Sequence, residues 1–252
     1  MAKKPSGSDS KNLCVCLALR KVIDIYYRMK IVFCIPGRDF SRQFLLSWTQ
    51  LLMECSKKGH EVMVSQQYSS VVHFARAQCL GGNVLNGEDQ KPFQGEVDYD
   101  YIMWIDSDIV FTPEDFFKLL DSPHGVTCGS YAVDLQKVAV VKDWDEEYFK
   151  KNGSFEFITA DMVKGAKDLT GERYVEVAYA GMGWMLLKKG VVEDLKYPWF
   201  RSDMQTMTNA DGKTIVDLAS EDVSFCKALK AANHPIMLDT DVRVGHLKPV
   251  VI

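Results

Sequence analysis

The sequence predicts an α/β sandwich whose central sheet is mostly parallel, mixed and covered by helices on both faces. Two wholly apolar runs of strand-forming residues, at positions 31–35 and 101–105, have the composition of strands buried on both sides. Amphipathic helical segments alternate with the strands, which is typical of a three-layer α/β/α domain. In such sheets ligands bind at the carboxyl ends of the strands, so the residues that follow each strand are the first functional candidates.

Length and composition indicate one ordinary globular domain. The chain has 252 residues, of which 47% are hydrophobic and 25% charged, and this composition excludes intrinsic disorder. Lys and Arg number 30 against 34 Asp and Glu, so the net charge is −4. Binding to DNA or RNA needs clustered positive charge, so we expect no nucleic-acid partner and only small phosphate-bearing ligands.

The cysteines indicate the redox environment. Seven are scattered along the chain without a CxxC pair or a zinc-like spacing to histidine. They are expected to be reduced and mostly buried, although Cys14 and Cys16 leave a metal or redox role open. We therefore expect a cytoplasmic location.

The first 28 residues are expected to be an extension that precedes a single compact domain at residues 29–252. The apolar run at residues 13–19 is too short to span a bilayer and lacks the cleavage pattern of a secretory signal. Residues 13–27 are amphipathic. Packing of this segment against the domain is the plainer interpretation, and contact with a membrane or a partner is the alternative.

In the first half of the domain, local signals mark where helices begin and end. Ser41 is a good N-cap, and Gly59 follows the last helical residues. Thr112, Pro113 and the two acids after them combine a capping residue with a first-turn proline and favourable charge. These signals and the apolar spacing predict strands at residues 31–35, 61–65 and 101–105, helices at 41–58, 71–80 and 112–120, and a loop at 81–95.

In the second half of the domain, only one helix is clear. Residues 221–232 carry apolar side chains at helical spacing and stop before Pro235. Residues 142–173 are charged and aperiodic, which predicts a loop with short helices of the kind that serves a site. The remaining pattern predicts strands at residues 125–133, 174–179, 183–187 and 236–238, the last closing the sheet, and a short helix at 191–195.

Asp106-Ser107-Asp108 directly follows an apolar strand and is the sharpest local signal. Carboxylates two residues apart reach one divalent cation only if the chain turns between them. Such a cation would relieve their repulsion and hold a diphosphate. A solvated turn, or a cap for the next helix, is the alternative interpretation.

Ser220-Glu221-Asp222 opens the clear helix in the second half. Acids in a first turn are favoured by the helix dipole, so a structural role is the simpler interpretation. Beside a metal site, the same carboxylates would supply a general base that suits a sugar hydroxyl.

Three weaker motifs lie after strands or on an apolar helix. His246 follows the last strand and is either a satisfied polar residue or a metal ligand. Arg76 lies on the predicted helix at 71–80 and reaches either solvent or a nucleotide. Gly181 and Gly183 precede Trp184 and indicate a bulge or a close approach of the backbone.

In this order, the motifs resemble those of the GT-A glycosyltransferases over residues 30–248. The resemblance implies a GT-A fold and a metal-dependent enzyme that moves a sugar from a nucleoside diphosphate sugar, with uridine as the expected base, to a hydroxyl of a glycan or glycoconjugate. Compact members of this kind occur in bacteria and in large DNA viruses, so the resemblance implies the host cytoplasm as the location if the protein is viral.

The resemblance also implies roles for the residues on the donor side. In the family, the loop after the first strand and a helical arginine hold the nucleotide, and a DxD motif with a late histidine holds Mn²⁺ or Mg²⁺. The family's Asn beside the helical arginine is missing here. The corresponding donor residues are Pro36, Gly37, Arg38, Arg76 and Ser107, and the metal ligands are Asp106, Asp108 and His246.

On the acceptor side, the resemblance assigns Glu221 and Asp222 to the acceptor, with Asp222 as the preferred base. Gly181, Gly183 and Trp184 are expected to line the cleft between donor and acceptor. The loop at residues 142–173 would close over the donor and exclude water.

Other functions stay open at this point. A haloacid-dehalogenase-type phosphohydrolase would use one Asp of Asp106-Ser107-Asp108 as a nucleophile beside Mg²⁺, but its motif normally follows the first strand of the fold. A sugar nucleotidyltransferase usually has a glycine-rich basic loop after the first strand, which Pro36-Gly37-Arg38 imitates poorly. A catalytically silent sugar-binding module is disfavoured because every expected carboxylate is present.

Overall fold

The computed structural model describes residues 28–248, without the side chains of residues 169 and 170. The expectations for the N-terminal extension, including those for Cys14, Cys16 and the amphipathic segment at residues 13–27, concern residues outside this range. The division of the chain at residue 28 therefore stays a prediction.

Strands and helices alternate along most of the described chain. The strands are β1 (Lys30–Pro36), β2 (Glu61–Gln67), β3 (Tyr101–Ile105), β4 (Ile109–Val110), β5 (Val126–Ser130), β6 (Lys137–Val141), β7 (Phe157–Thr159), β8 (Tyr174–Val177), β9 (Tyr179–Ala180), β10 (Trp184–Lys188), β11 (Met204–Thr208), β12 (Thr214–Leu218), β13 (Ile236–Arg243) and β14 (Gly245–His246). The α-helices are α1 (Arg42–Lys57), α2 (Val72–Cys79), α3 (Pro113–Leu120), α4 (Glu146–Asn152), α5 (Ala160–Thr170) and α6 (Glu221–Ala231).

A seven-stranded mixed sheet forms the centre of the molecule, in the order β2-β1-β3-β10-β5-β13-β8. Strands β2, β1 and β3 are parallel to one another, and β5 is parallel to β13. Strand β10 runs antiparallel to both β3 and β5, and β8 runs antiparallel to β13. The strands other than β10 and β8 therefore share one direction, as predicted for a mostly parallel mixed sheet.

The two faces of the sheet belong to different hydrophobic cores. Along β1, Phe33 faces a core that includes residues of α1 and α3, and its neighbour Cys34 faces a core that includes residues of α2 and α6. This alternation is the period of a strand that is buried on both sides. The predicted three-layer α/β/α sandwich is confirmed.

Helix starts agree with the capping signals in the sequence. The Ser41 hydroxyl accepts a hydrogen bond from the Phe44 amide at 3.0 Å at the start of α1. At α3, the Thr112 side chain accepts from the Asp115 amide, and the Asp115 carboxylate accepts in return from the Thr112 amide at 2.8 Å. Both predicted helices are confirmed within two residues of their expected ends.

The predicted loop at residues 142–173 is only partly right. It holds α4, β7 and the eleven-residue α5, and β6 immediately before it was not predicted. The side chains of Asp145 and Thr159 cap the two helices, and Gly153 and Gly171 end them in the left-handed conformation. These end signals were present, but the sequence between them lacks a continuous apolar stripe.

Two further expectations need correction, and one hairpin was missed. Residues 191–195 form hydrogen-bonded turns instead of a helix, because so short a segment cannot offset the cost of helix nucleation. Strand β13 lies between β5 and β8 and does not close the sheet. The antiparallel hairpin of β11 and β12 was not predicted, although the residues of β11 alternate in exposure.

The cysteines within the described range agree with the prediction. Cys34, Cys55, Cys79, Cys128 and Cys226 are free and buried. None of the helices in residues 28–248 is long and apolar enough to cross a bilayer.

Candidate functional site

A cleft of about 270 Å³ opens at the carboxyl ends of β1 and β3. This is the edge at which ligands bind in open α/β sheets. The cleft joins the end of β1, the segment that leads from β2 into α2, and the DxD motif after β3. Its lining residues are Pro36, Gly37, Tyr68, Ser69, Val72, Ala75, Asp106, Ser107 and Asp108.

The floor of the cleft depends on a glycine. A Cβ atom on Gly37 would lie 2.6 Å from both Cβ and Oγ of Ser107, so the loop after β1 and the DxD turn approach more closely than any other residue allows. Gly37 donates its amide hydrogen to Gln67 O at 3.0 Å. Arg38 is exposed beside the ring of Tyr68, at 5.8 Å from its centroid.

Arg76 is the centre of a buried ionic network. Its Nη2 donates to Asp106 Oδ2 at 3.1 Å, and its Nε donates to Glu221 Oε1 at 3.2 Å. Its Nη1 lies 3.0 Å from Asp106 Oδ1 as an ion-pair contact without hydrogen-bond geometry. The guanidinium therefore links the end of β3 to the start of α6.

The carboxylate partners of Arg76 stabilise the charged form of its guanidinium. Burial alone would lower the pKa of Arg76, but the carboxylates of Asp106 and Glu221 more than offset it and raise the pKa above its ordinary value. The Arg76 side chain is 4% exposed. Most of its donors are directed at carboxylates, so the sequence prediction that it holds the nucleotide has little geometric support.

Asp108 is paired with the late histidine. Its Oδ2 lies 2.9 Å from His246 Nε2, and His246 Nδ1 lies 2.7 Å from Ala132 O. The short ladder between β4 and β14, in which His246 pairs with Ile109, brings the histidine to the motif. The hydrogen bond with Asp108 raises the pKa of His246, although burial opposes it. Burial works to raise the pKa of Asp108, but the His246 hydrogen bond and the charges of His246 and Lys248 together outweigh it and lower the pKa.

Asp108 and His246 fit one side of a divalent-cation site. A histidine whose Nδ1 faces a backbone carbonyl presents Nε2 to a metal, which is the usual outer-shell arrangement. Within residues 28–248, no three His, Cys, Asp or Glu side chains are gathered into a complete metal-binding group. Asp106, the other predicted ligand, is turned toward Arg76. The remaining ligands would thus come from substrate phosphates and water.

The two adjacent acids of α6 have different surroundings. Glu221 is buried against Arg76. Asp222 Oδ2 accepts a hydrogen bond from the Tyr179 hydroxyl at 2.7 Å, and its Oδ1 accepts from the Val223 amide at 2.9 Å and from the Ser220 hydroxyl. Burial, and then the charge of Asp222, raise the pKa of Tyr179 above its ordinary range, so this phenol stays a donor.

The glycines before β10 approach a buried tyrosine. A Cβ on Gly181 would lie 2.0 Å from the Tyr131 hydroxyl oxygen, and the Gly183 amide donates to that oxygen at 3.2 Å. A Cβ on Gly183 would lie 3.2 Å from Asp106 Oδ2. Close approach, rather than a bulge, explains both glycines. Trp184, which was expected to line the cleft, has 0% exposure and packs in the core against Phe111.

Sequence reasoning missed several residues of the site. Tyr68, Ser69 and Val72 line the cleft, Tyr179 donates a hydrogen bond to the Asp222 carboxylate, and the Tyr131 hydroxyl accepts one from the Gly183 amide. Tyr179 stands directly before Ala180-Gly181, so the glycine motif was a signal for it. Tyr131 carries no comparable signal, because its contact with the glycines depends on the fold.

No protein-family model matches the sequence, and no curated protein matches it significantly. Among solved structures, the fold is similar to A197 from STIV, with 18% identity, a TM-score of 0.46 and coverage of 89% of this chain and 96% of that chain. GalNAc-T7 with UDP, GalNAc and Mn²⁺ has 9% identity, a TM-score of 0.49 and coverage of 89% and 45%.

A mutant of Drosophila β-1,4-galactosyltransferase 7 in complex with manganese, UDP-Gal and xylobiose has 12% identity, a TM-score of 0.42 and coverage of 88% of this chain and 71% of that chain. Solved glycosyltransferases of the GT-A type are thus among the similar structures, as the order of motifs predicted. Because none of these TM-scores reaches 0.5, we base the functional inference on the residues of the site.

Replacing Arg76 with methionine should destabilise the protein strongly. The change leaves the buried Glu221 and the Asp106 carboxylate without their cation, which typically costs about 3–5 kcal/mol. Urea unfolding followed by circular dichroism measures the loss. The exposed Arg38, replaced in the same way, is the control and should change the unfolding free energy by less than about 0.5 kcal/mol. Equal effects of the two substitutions would show that the network is not structural.

Gly181→Ala should lower the free energy of unfolding by about 1–3 kcal/mol, because the added methyl group overlaps the Tyr131 hydroxyl in a packed core. Gly165→Ala is the matched control. A Cβ on Gly165 meets no atom within 4 Å, so the same change in α5 should stabilise the protein by about 0.5–1 kcal/mol. Thermal unfolding of both variants gives the comparison. A Gly181→Ala variant as stable as wild type would contradict the described approach to Tyr131.

Proposed function

We propose that the protein is a metal-dependent glycosyltransferase that moves a sugar from a nucleoside diphosphate sugar, with uridine as the expected base, to an acceptor hydroxyl. One observation carries the proposal: Asp108 is paired with His246 at the mouth of a cleft that lies at the carboxyl ends of β1 and β3. A carboxylate and an imidazole at that edge suit a dication, and the adjoining cleft suits the nucleotide that the dication anchors.

The donor would lie between the loop after β1 and the DxD turn. The residues that line this space are Pro36, Gly37, Ser107, Tyr68 and Ser69. Arg76 is not among them, and its role would be to hold the Asp106 carboxylate in position through a hydrogen bond. Asp108 and His246 would hold Mn²⁺ or Mg²⁺. When bound, such an ion neutralises the charge that grows on the diphosphate as the sugar leaves.

Asp222 is the better candidate for the base. Hydrogen bonds to Tyr179, Ser220 and the Val223 amide occupy three of the roughly four lone-pair positions of its carboxylate, which leaves one for an acceptor hydroxyl. Glu221 is committed to Arg76 and positions it. Asp222 would take the proton of the acceptor hydroxyl as the acceptor oxygen forms a bond to the sugar carbon. The bond between that carbon and the diphosphate would break at the same time, and its electron pair would leave with the diphosphate.

The rival enzyme classes fit this geometry less well. A phosphohydrolase of the dehalogenase type that attacked through Asp106 would need a free nucleophile, but both oxygens of that residue face Arg76. A nucleotidyltransferase would need a basic glycine-rich loop at the phosphates, and Arg38 lies exposed beside Tyr68 instead.

Mn²⁺ binding should depend on Asp108. In calorimetric titrations of the UDP-saturated protein, Asp108→Asn should weaken Mn²⁺ binding by at least about tenfold, since even outer-shell changes at metal sites cost that much. Asp134→Asn, an exposed aspartate, is the control and should bind as wild type does. Unchanged Mn²⁺ affinity in Asp108→Asn would exclude this residue as a ligand.

Asp222→Asn should reduce turnover by about 10²–10⁴-fold while UDP and Mn²⁺ still bind, because a positioned base contributes about that much. The assay is release of UDP from a panel of UDP-sugars with glycan acceptors. Asp217→Asn, on the exposed face of the β11–β12 hairpin, should retain wild-type turnover. Full turnover by Asp222→Asn would rule out this base.

A further inference from the structure

A group of aromatic side chains lies beside the candidate base. Trp144, Phe155 and Phe157 are half-buried, and we call them the aromatic shelf. The ring of Trp144 lies 6.3 Å from that of Tyr179, and the ring of Phe157 lies 6.1 Å from it, between centroids. Because the Tyr179 hydroxyl donates a hydrogen bond to Asp222, only the ring of Tyr179 lies between the shelf and the candidate base.

The shelf carries a cation. The Lys227 ammonium lies 5.2 Å from the centroid of Trp144 and 5.9 Å from that of Phe155. It donates one hydrogen bond, to Gln205 Oε1 of β11, at 2.7 Å. Lys227 follows Asp222 by about 1.4 turns of α6. Its contacts bring helix α6, the β11–β12 hairpin and the shelf together at this ammonium.

The described partners of this cation are all uncharged. Of the residues that the structure describes, those that contact the Lys227 ammonium are the neutral Gln205 and the two rings, and none of the ion pairs among them includes it. Lys230, on the same helix, pairs with Glu176 at 3.3 Å. An ammonium has three donors, and one is used here. In a protein of net charge −4, a half-buried lysine without a carboxylate partner has capacity for an anionic ligand.

We propose that Lys227 and the aromatic shelf form an acceptor subsite for a sugar that carries an anionic group, either a carboxylate or a phosphate. The inference rests on the proposed function, in which Asp222 receives the acceptor proton. The sugar ring lies against the shelf, its anionic group accepts hydrogen bonds from Lys227, and a hydroxyl at the far side of the ring reaches Asp222.

Calorimetric titration with three probes tests the subsite in the protein loaded with UDP and Mn²⁺. The probes are glucose, glucuronate and glucose 6-phosphate, which are neutral, carboxylate-bearing and phosphate-bearing. Both anionic sugars should bind at least about tenfold more tightly than glucose, as expected for one charge-assisted hydrogen bond. Comparison of the two anionic sugars identifies which group is preferred.

Three variants separate recognition from structure. Lys227→Met should remove the preference for anionic sugars, and Lys227→Arg should keep most of it. Lys230→Met, which loses a cation already paired with Glu176, should behave as wild type. UDP and Mn²⁺ affinity should be unchanged in all three variants.

The proposal is overturned if wild type binds the three sugars alike, if it binds none of them, or if Lys227→Met keeps the preference. Displacement of UDP by the anionic sugars would also overturn it, because it would place them in the donor cleft. Failure of the wild-type protein to bind UDP and Mn²⁺ would instead contradict the proposed function. The sugar preference can then still be measured in the nucleotide-free protein.

Discussion

The buried guanidinium of Arg76 is the constraint on which the rest of the site depends. It is held by Asp106 at the end of β3 and by Glu221 at the start of α6, two segments that lie far apart in the sequence. A buried charge without partners is costly, so the network forms only when both carboxylates are in place. Its formation fixes the DxD turn and the first turn of α6 in one relative position.

Because of this constraint, one carboxylate of each acidic pair is bound to Arg76 and the other is available for a ligand. Asp106 and Glu221 serve Arg76, whereas Asp108 reaches His246 and Asp222 reaches Tyr179. The available members lie on either side of the network, so their separation is set by it. In the proposed reaction one side would anchor the diphosphate and the other would activate the acceptor. The aromatic shelf and Lys227 extend the second side toward the acceptor.

The sequence predicted most of the fold, and it marked the motifs of the candidate site without showing their contacts. Apolar strands with adjacent capping signals, as at Ser41 and Thr112, could be predicted because their causes are local. The position of β13 inside the sheet could not, because strand order depends on packing between distant segments. For the same reason the motifs marked Asp106 and Glu221 as functional, but their commitment to Arg76 was visible only in three dimensions. Trp184 shows the opposite error, since a residue beside a closely packed glycine can belong to the core.

The most direct test of the central claim is an anomalous-scattering experiment on crystals grown with Mn²⁺ and UDP. The account predicts a manganese peak at about 2.0–2.3 Å from an Asp108 oxygen and from His246 Nε2, with the diphosphate completing its coordination and the nucleoside in the cleft beside Gly37 and Tyr68. Manganese bound away from both side chains, or UDP bound outside that cleft, would contradict it.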